Sequence, residues 1–280
     1  MEKRVVITGM GIWSCLGKTL EDVRDSLYNG KSGIIFRQER KDAGFRSALC
    51  ANIELPDIKP FLPRNLRQFM PEEAQYAYMA TRSALENAKL DQDYIDGHEV
   101  GIIYGNDSVA EATMHALDKF REFKDTSACG SGAIFQSMNS TVSMNLACLF
   151  KLRGINLTAS AACASGSQAI GLAQTLICSG LQDCIICGGA QEANLYSVAS
   201  FDGIQSFSMR EDEPAKACRP FDRDRDGLVP GGGAATVILE SYEHAVKRGA
   251  PILAEIVSWG FSGNGDHIST PNVAGPARSL

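Results

Sequence analysis

Histidine is scarce in this chain: there are four in 280 residues, with two tryptophans and ten prolines. Long apolar runs are missing too. None approaches the ~18–20 residues that a membrane-spanning helix needs, so no membrane partner is expected. Positive charge is not in excess. Lys and Arg number 27 against 33 Asp and Glu, for a net charge of −6. That argues against a nucleic-acid binder, which carries a basic patch or stripe, and leaves open a local basic patch for an acidic protein partner. No leader peptide is apparent, because Met1-Glu2-Lys3-Arg4 runs straight into Val5-Val6-Ile7-Thr8-Gly9, which reads as a strand. No low-complexity tract or Pro/Ser linker marks a domain boundary. What remains is ordinary globular composition, 44 % hydrophobic and 21 % charged, which excludes disorder, collagen and coiled coil. At roughly 150 residues per domain, the length suggests two domains or one large one.

The nine cysteines, at positions 15, 50, 129, 148, 163, 178, 184, 187 and 218, are odd in number and irregular in spacing. A chain of this size needs no disulfide staples, so free thiols in a reducing cytoplasm are expected. Most should be small buried hydrophobes.

Short β-branched runs alternate with helical patterns. The patterning predicts strands at 4–8, 100–104, 156–160, 183–187, 234–239 and 252–258, and helices near 20–29, 71–88, 111–120, 141–150, 165–179, 190–199 and 242–248. Such alternation implies a layered α/β fold with a sheet covered on both faces. Gly30, Gly180 and Gly249 fall where helices should stop. The opening strand–glycine–aromatic unit, Arg4 to Trp13, has a weak echo at Leu253 to Gly263, as two related halves would produce.

Four attractive motifs fail on counting. Gly11 to Lys18 resembles a phosphate-binding loop, but five residues separate its glycines where four are required. Asp222-Arg-Asp224-Arg-Asp226-Gly227 starts like a Ca²⁺ loop, yet position twelve is Gly233 instead of a bidentate Glu. Cys184-Ile-Ile-Cys187 lies in an apolar strand, where residues three apart face opposite ways. No Gly-x-Ser-x-Gly elbow occurs anywhere. No metal or cofactor is therefore expected.

One motif holds. Asn156-Leu-Thr-Ala-Ser-Ala-Ala-Cys163-Ala-Ser-Gly-Ser is a strand, a sharp turn of small residues and a helix start, with the thiol at the helix N-terminus. Unpaired N–H groups and the helix dipole there favour a thiolate. Small neighbours let a carbonyl approach the sulfur, an arrangement suited to acyl transfer through a thioester. A buried cysteine in a tight turn is the alternative that these residues leave open.

The stretch Thr158-Ala-Ser-Ala-Ala-Cys163-Ala-Ser-Gly-Ser resembles the active-cysteine motif of the β-ketoacyl-[acyl-carrier-protein] synthases, condensing enzymes of the thiolase fold. Other segments match in order: Val5 to Gly11 with Gly30-Lys-Ser-Gly33, Cys187-Gly-Gly-Ala-Gln-Glu192, Arg219-Pro-Phe-Asp222 with Arg225 to Gly233, and Asp266-His267-Ile-Ser-Thr270-Pro271. The resemblance covers essentially the whole chain. It implies a layered αβαβα fold, with residues 1–250 as an N-terminal half carrying the nucleophile and 251–280 as the start of a second half. It also implies that Cys163 takes an acyl chain from an acyl carrier protein and that malonyl-carrier protein then condenses with it, losing CO₂. Phe201, His267 and Thr270 fall at positions resembling the acyl pocket. Arg64 and Arg67 lie where family members dock the carrier protein, although a solvated basic turn reads equally well. A homodimer is implied, with a heterodimer as the variant.

The chain departs from the family pattern in its histidines. Those that assist decarboxylation lie in an H-G-T motif and a later G-H motif, and neither occurs here. His244 falls on an amphipathic helix and is expected at the surface. These 280 residues are thus expected to carry the nucleophile without completing condensation alone, the missing motifs being sought beyond Leu280. The competing readings are a catalytically incomplete partner or chain-length subunit of a ketosynthase complex, which retention of Cys163 disfavours, and a nucleotide-binding α/β protein, which the loop spacing disfavours. Acyl chain length, and a fatty-acid as against a polyketide pathway, are not legible in the sequence.

Overall fold

The computed structural model describes residues 3–280, so Met1 and Glu2 of the opening segment lie outside the described residues. Among the described residues eight strands form: β1 (Val5–Trp13), β2 (Ile34–Phe36), β3 (Leu49–Ala51), β4 (Val100–Gly105), β5 (Asn156–Ala159), β6 (Cys184–Gln191), β7 (Gly233–Ser241) and β8 (Ala254–Ile256). Six of them build one sheet in the order β5-β4-β6-β7-β1-β8, and β2 and β3 pair as a separate hairpin. The β4 strand runs parallel to β5 and β6, whereas the β6–β7, β7–β1 and β1–β8 pairs are antiparallel.

Alternation along the central strands assigns their side chains to two layers. Val100, Ile102 and Tyr104 of β4 and Cys184 and Ile186 of β6 join one core, built on the helices Glu72–Ala88 and Thr141–Leu149. Ile103, Ile185 and Cys187 face the other way, onto Ala169, Ala173 and Ile177 of the helix Ser165–Cys178. The C-x-x-C pair is thus split between two faces, as its strand setting predicts. Burial raises both thiols.

The Glu72–Ala88 helix buries a row of alanines, at 74, 77, 80, 84 and 88, and lies almost directly on β1. A side chain at Gly11 would come within 2.0 Å of the Ala80 carbonyl oxygen. The three predicted helix stops, Gly30, Gly180 and Gly249, all adopt φ between 61° and 76°, which only glycine takes without steric cost.

The sequence patterning needs correction at several points. The helix expected over 190–199 starts later, at Leu195–Gly203, because β6 continues to Gln191 and Asn194 caps the helix by accepting the Ser197 N–H at 3.1 Å. The β2–β3 hairpin was not expected, since three-residue strands are too short to show a period. His244 is not a surface residue. Its side chain is 17 % exposed, with Nδ1 2.6 Å from Glu240 Oε2 and Nε2 hydrogen-bonded to the Tyr94 hydroxyl. Glu240 on β7 is wholly buried and also receives Thr8 Oγ1 and the Arg248 guanidinium. Its burial opposes the charged form, but the hydrogen bonds from Arg248, His244 and Thr8 outweigh it and hold the carboxyl down at about 2.

The β8 strand, taken from the segment assigned to a second half, adds to the same sheet beside β1 with Val5 opposite Ile256. Beyond it, the Trp259 ring lies over Gly171 of the Ser165–Cys178 helix, and its Nε1 donates to Thr175 Oγ1 at 3.1 Å.

Candidate active site

Parallel strands of a layered α/β fold deliver their functional residues at their C-terminal ends. The β5 strand ends at Ala159, and the chain then turns sharply into the Ser165–Cys178 helix. The turn is tight enough to force Ala162 into the left-handed region, at φ 48°, which is unfavourable for any residue with a side chain. Ser165 secures it from the helix side, with its Oγ donating to the Ala162 carbonyl at 2.7 Å and accepting the Ala161 N–H at 2.8 Å. Cys163 follows directly, exposed, just ahead of the helix amino end.

The elbow can sit low over the sheet because β4 beneath it ends in glycine. A Cβ on Gly105, the last residue of β4, would lie 2.5 Å from the backbone of both Ser165 and Gly166.

Cys163 lies on the wall of a cavity of about 530 Å³, within the range of small-molecule sites. Ile12 to Cys15 at the end of β1, Ala51 of β3, the β4 terminus with Asn106 and Asp107, Gly189 to Gln191 of β6, and Gly231 to Ala235 leading into β7 line it together with the elbow. The three glycines that close the matched Arg225 to Gly233 segment, Gly231, Gly232 and Gly233, are therefore brought to the nucleophile. Small residues and bare backbone line most of this surface, leaving the sulfur accessible to a bulky thioester.

The other predicted positions are not brought together with Cys163. Phe201 is 49 % exposed on the Leu195–Gly203 helix, with its ring 6.4 Å from that of Phe207, outside the cavity lining. His267 is exposed in the C-terminal loop, where Nδ1 accepts the N–H groups of Ser269 and Thr270 at 3.1 and 2.9 Å. Thr270 is exposed beside it, with its carbonyl accepting Asn264 Nδ2. Arg64 and Arg67 begin and end the short helix Arg64–Arg67. Arg64 is exposed, and Arg67 Nε donates to the Leu62 carbonyl at 3.0 Å. None of the four histidines lines the Cys163 cavity.

Sequence reasoning missed Asn106 and Asp107. Their signal was their place immediately after a buried parallel strand. Asn106 donates from Nδ2 to the Asn139 carbonyl at 2.9 Å, and Asp107 accepts two hydrogen bonds from the elbow itself. Trp13 and Cys15 were also missed. They reach the cavity because β1 runs to Trp13, well past its expected end.

Comparison with known proteins gives this geometry its context. Residues 2–245 match the family model of the β-ketoacyl synthase N-terminal domain. The 3-oxoacyl-[acyl-carrier-protein] synthase 1 of Haemophilus influenzae is 38 % identical over 280 residues, covering 99 % of this chain and 69 % of that protein. The Escherichia coli K12 protein of the same name is 36 % identical over 281 residues, again covering 99 % and 69 %. A β-ketoacyl synthase from Burkholderia phymatum superposes with a TM-score of 0.89 at 36 % identity, over 97 % of this chain and 67 % of that one. A type II polyketide ketosynthase, solved with its acyl carrier protein and bound to a hexaketide, superposes with a TM-score of 0.84 at 27 % identity, over 100 % and 68 %. The fold is thus the thiolase-like fold of the ketosynthases. No helix among the described residues is long and apolar enough to cross a membrane. With its elbow cysteine, its ordered motifs and these relatives, the chain belongs to the β-ketoacyl synthase family of condensing enzymes.

Proposed function

We propose that Cys163 is the acyl-accepting nucleophile of a decarboxylative Claisen condensation between an acyl thioester and malonyl-acyl carrier protein. The observation that carries this reading is the placement of Cys163: an exposed thiol on a left-handed elbow, at a helix amino end and on the wall of a 530 Å³ cavity. The thiolate attacks the carbonyl of an acyl-carrier thioester, and the carrier leaves as its own thiol. Negative charge that develops on the carbonyl oxygen is met by backbone N–H groups at the helix start. Malonyl-carrier protein then loses CO₂, and its enolate carbon attacks the Cys163 thioester. A carbon–carbon bond forms, the carbon–sulfur bond to Cys163 breaks, and 3-oxoacyl-carrier protein departs. The cavity lining supplies the acylation chemistry, and no histidine lies in it to assist decarboxylation.

Arg64 and Arg67 are proposed as contacts for the acidic carrier protein, and Phe201, His267 and Thr270 as distal contacts to the acyl chain, away from the sulfur. A dimer is the proposed assembly, and the cytoplasm the proposed location.

Brief alkylation with iodoacetamide tests the nucleophile. Cys163 is expected to react faster than each of the other eight cysteines, as read by mass spectrometry of tryptic peptides. Reaction of Cys163 no faster than that of Cys148 and Cys218, which are also exposed, would refute it.

A further inference from the structure

We infer that Asp107 is a positioning residue for the nucleophile: its carboxylate pins the left-handed elbow and thereby aims Cys163. The inference rests on the reading of Cys163 as the acyl acceptor. One oxygen of Asp107, Oδ1, accepts the Ala162 N–H at 3.0 Å and the Ser160 hydroxyl at 2.9 Å. Ala162 is the residue in the strained left-handed conformation, and it immediately precedes Cys163. A left-handed non-glycine residue persists only where its surroundings over-determine it. Ser165 supplies one constraint from inside the turn. Asp107 supplies an independent one from just past the end of β4, 55 residues away in sequence.

Asp107 is itself well anchored. It follows the end of β4, where the Asn106 N–H donates to the Ala159 carbonyl at 3.1 Å. Its own carbonyl accepts Asn139 Nδ2 at 2.7 Å, and Asn106 Nδ2 donates to the Asn139 carbonyl. The two ends of β4 and β5 are therefore clamped together, and the clamp continues through a charged acceptor onto the elbow. Hydrogen bonds to a carboxylate are stronger than neutral ones, which suits a group that must hold a strained turn. Asp107 also lines the Cys163 cavity, so the pin lies beside the reacting sulfur without being the group that reacts.

A double-substitution experiment on the 280-residue chain isolates the effect. The rate of Cys163 alkylation by iodoacetamide is followed from pH 6 to 10, with thermal unfolding measured in parallel. Asp107→Ala is expected to slow the high-pH plateau rate about tenfold, the size of effect that releasing a strained residue produces. Asp107→Asn keeps an acceptor oxygen in place and is expected to stay within about threefold of the parent. Asn and Ala variants that are slowed alike would overturn the pin, because the acceptor that Asn keeps would then hold nothing in place. In an Ala162→Gly background the turn needs no pin, because glycine takes positive φ freely. There Asp107→Ala should be no slower than Ala162→Gly alone. An Asp107→Ala plateau rate equal to the parent's, or an equal loss in both backgrounds, overturns the pin and leaves the nucleophile reading standing. A Cys163 that reacts no faster in the parent chain than the other eight thiols overturns both.

Discussion

Replacing Glu240 with glutamine should destabilise the fold by about 3 kcal/mol at neutral pH. The carboxylate is wholly buried between β7 and its neighbours, where Thr8, His244 and Arg248 all donate to it. Its carboxyl is held at about 2 against an ordinary value of 4.5. At about 1.4 kcal/mol for each tenfold change in acidity, the folded state favours the anion by about 3 kcal/mol. Glutamine keeps the shape and one acceptor oxygen but removes the charge, and it leaves Arg248 without its ionic partner in a half-buried site. Breaking a buried ion pair from one side costs about 3–5 kcal/mol, in line with the first figure. The folded-state carboxyl is the more acidic one, so its contribution is present in full above pH 4.5 and is lost as the pH falls toward 2. Urea unfolding followed by tryptophan fluorescence, at several pH values from 7 to 2, reads both quantities. The gap between parent and Glu240→Gln should narrow steadily below pH 4.5. A gap below about 0.5 kcal/mol at pH 7, the size of an ordinary surface change, or one that does not vary with pH, would refute the reasoning.

Glu73 makes the opposite case. It is buried with neither side-chain oxygen hydrogen-bonded, and burial, with added repulsion from Glu192, Glu72 and Glu111, pushes its carboxyl up to about 8. Its penalty is absent below pH 4.5 and grows as the pH rises toward 8, so Glu73→Gln should raise the unfolding free energy at pH 8.5 by up to about 5 kcal/mol, read as a higher urea midpoint, and change little at pH 4.5. Equal midpoints at pH 8.5 would show that Glu73 finds a partner. Gly105→Ala drives a methyl to within 2.5 Å of the Ser165 and Gly166 backbone. It should cost about 1–3 kcal/mol and slow Cys163 alkylation, whereas unchanged stability and rate would show that the nucleophile helix does not rest on β4. Reversing both charges with Arg64→Glu and Arg67→Glu should raise KM for a carrier-bound acyl substrate while leaving kcat in place. An unchanged KM removes both residues from the docking surface.

The layered fold was legible because its signals are local. Each long strand carries its own β-branched run, and the helix stops at Gly30, Gly180 and Gly249 need only a residue that tolerates positive φ. Cys163 was legible for the same reason, since the strand, the turn of small residues and the helix start lie within ten positions. What escaped was contact between distant segments. His244 reads as a surface residue on its own helix and becomes half-buried only because Glu240, Tyr94 and Arg248 converge on one point. Asp107 gives no periodic signal, and its partner Ala162 lies 55 positions on. Phe201, His267 and Thr270 match the family's pocket positions by motif alone. In the fold they lie outside the Cys163 cavity lining, because resemblance fixes a position along the chain and not the distance between two loops.

The most direct test of the central claim is to catch the acyl group on the protein. The chain is incubated with an acyl-acyl carrier protein, digested at mildly acidic pH and mapped by mass spectrometry, with Cys163→Ala alongside. An acyl mass is expected on the peptide containing Cys163, labile to neutral hydroxylamine as a thioester must be and absent from the variant. An acyl group carried by a different cysteine, or a Cys163 peptide left unmodified while the carrier remains fully loaded, would contradict it.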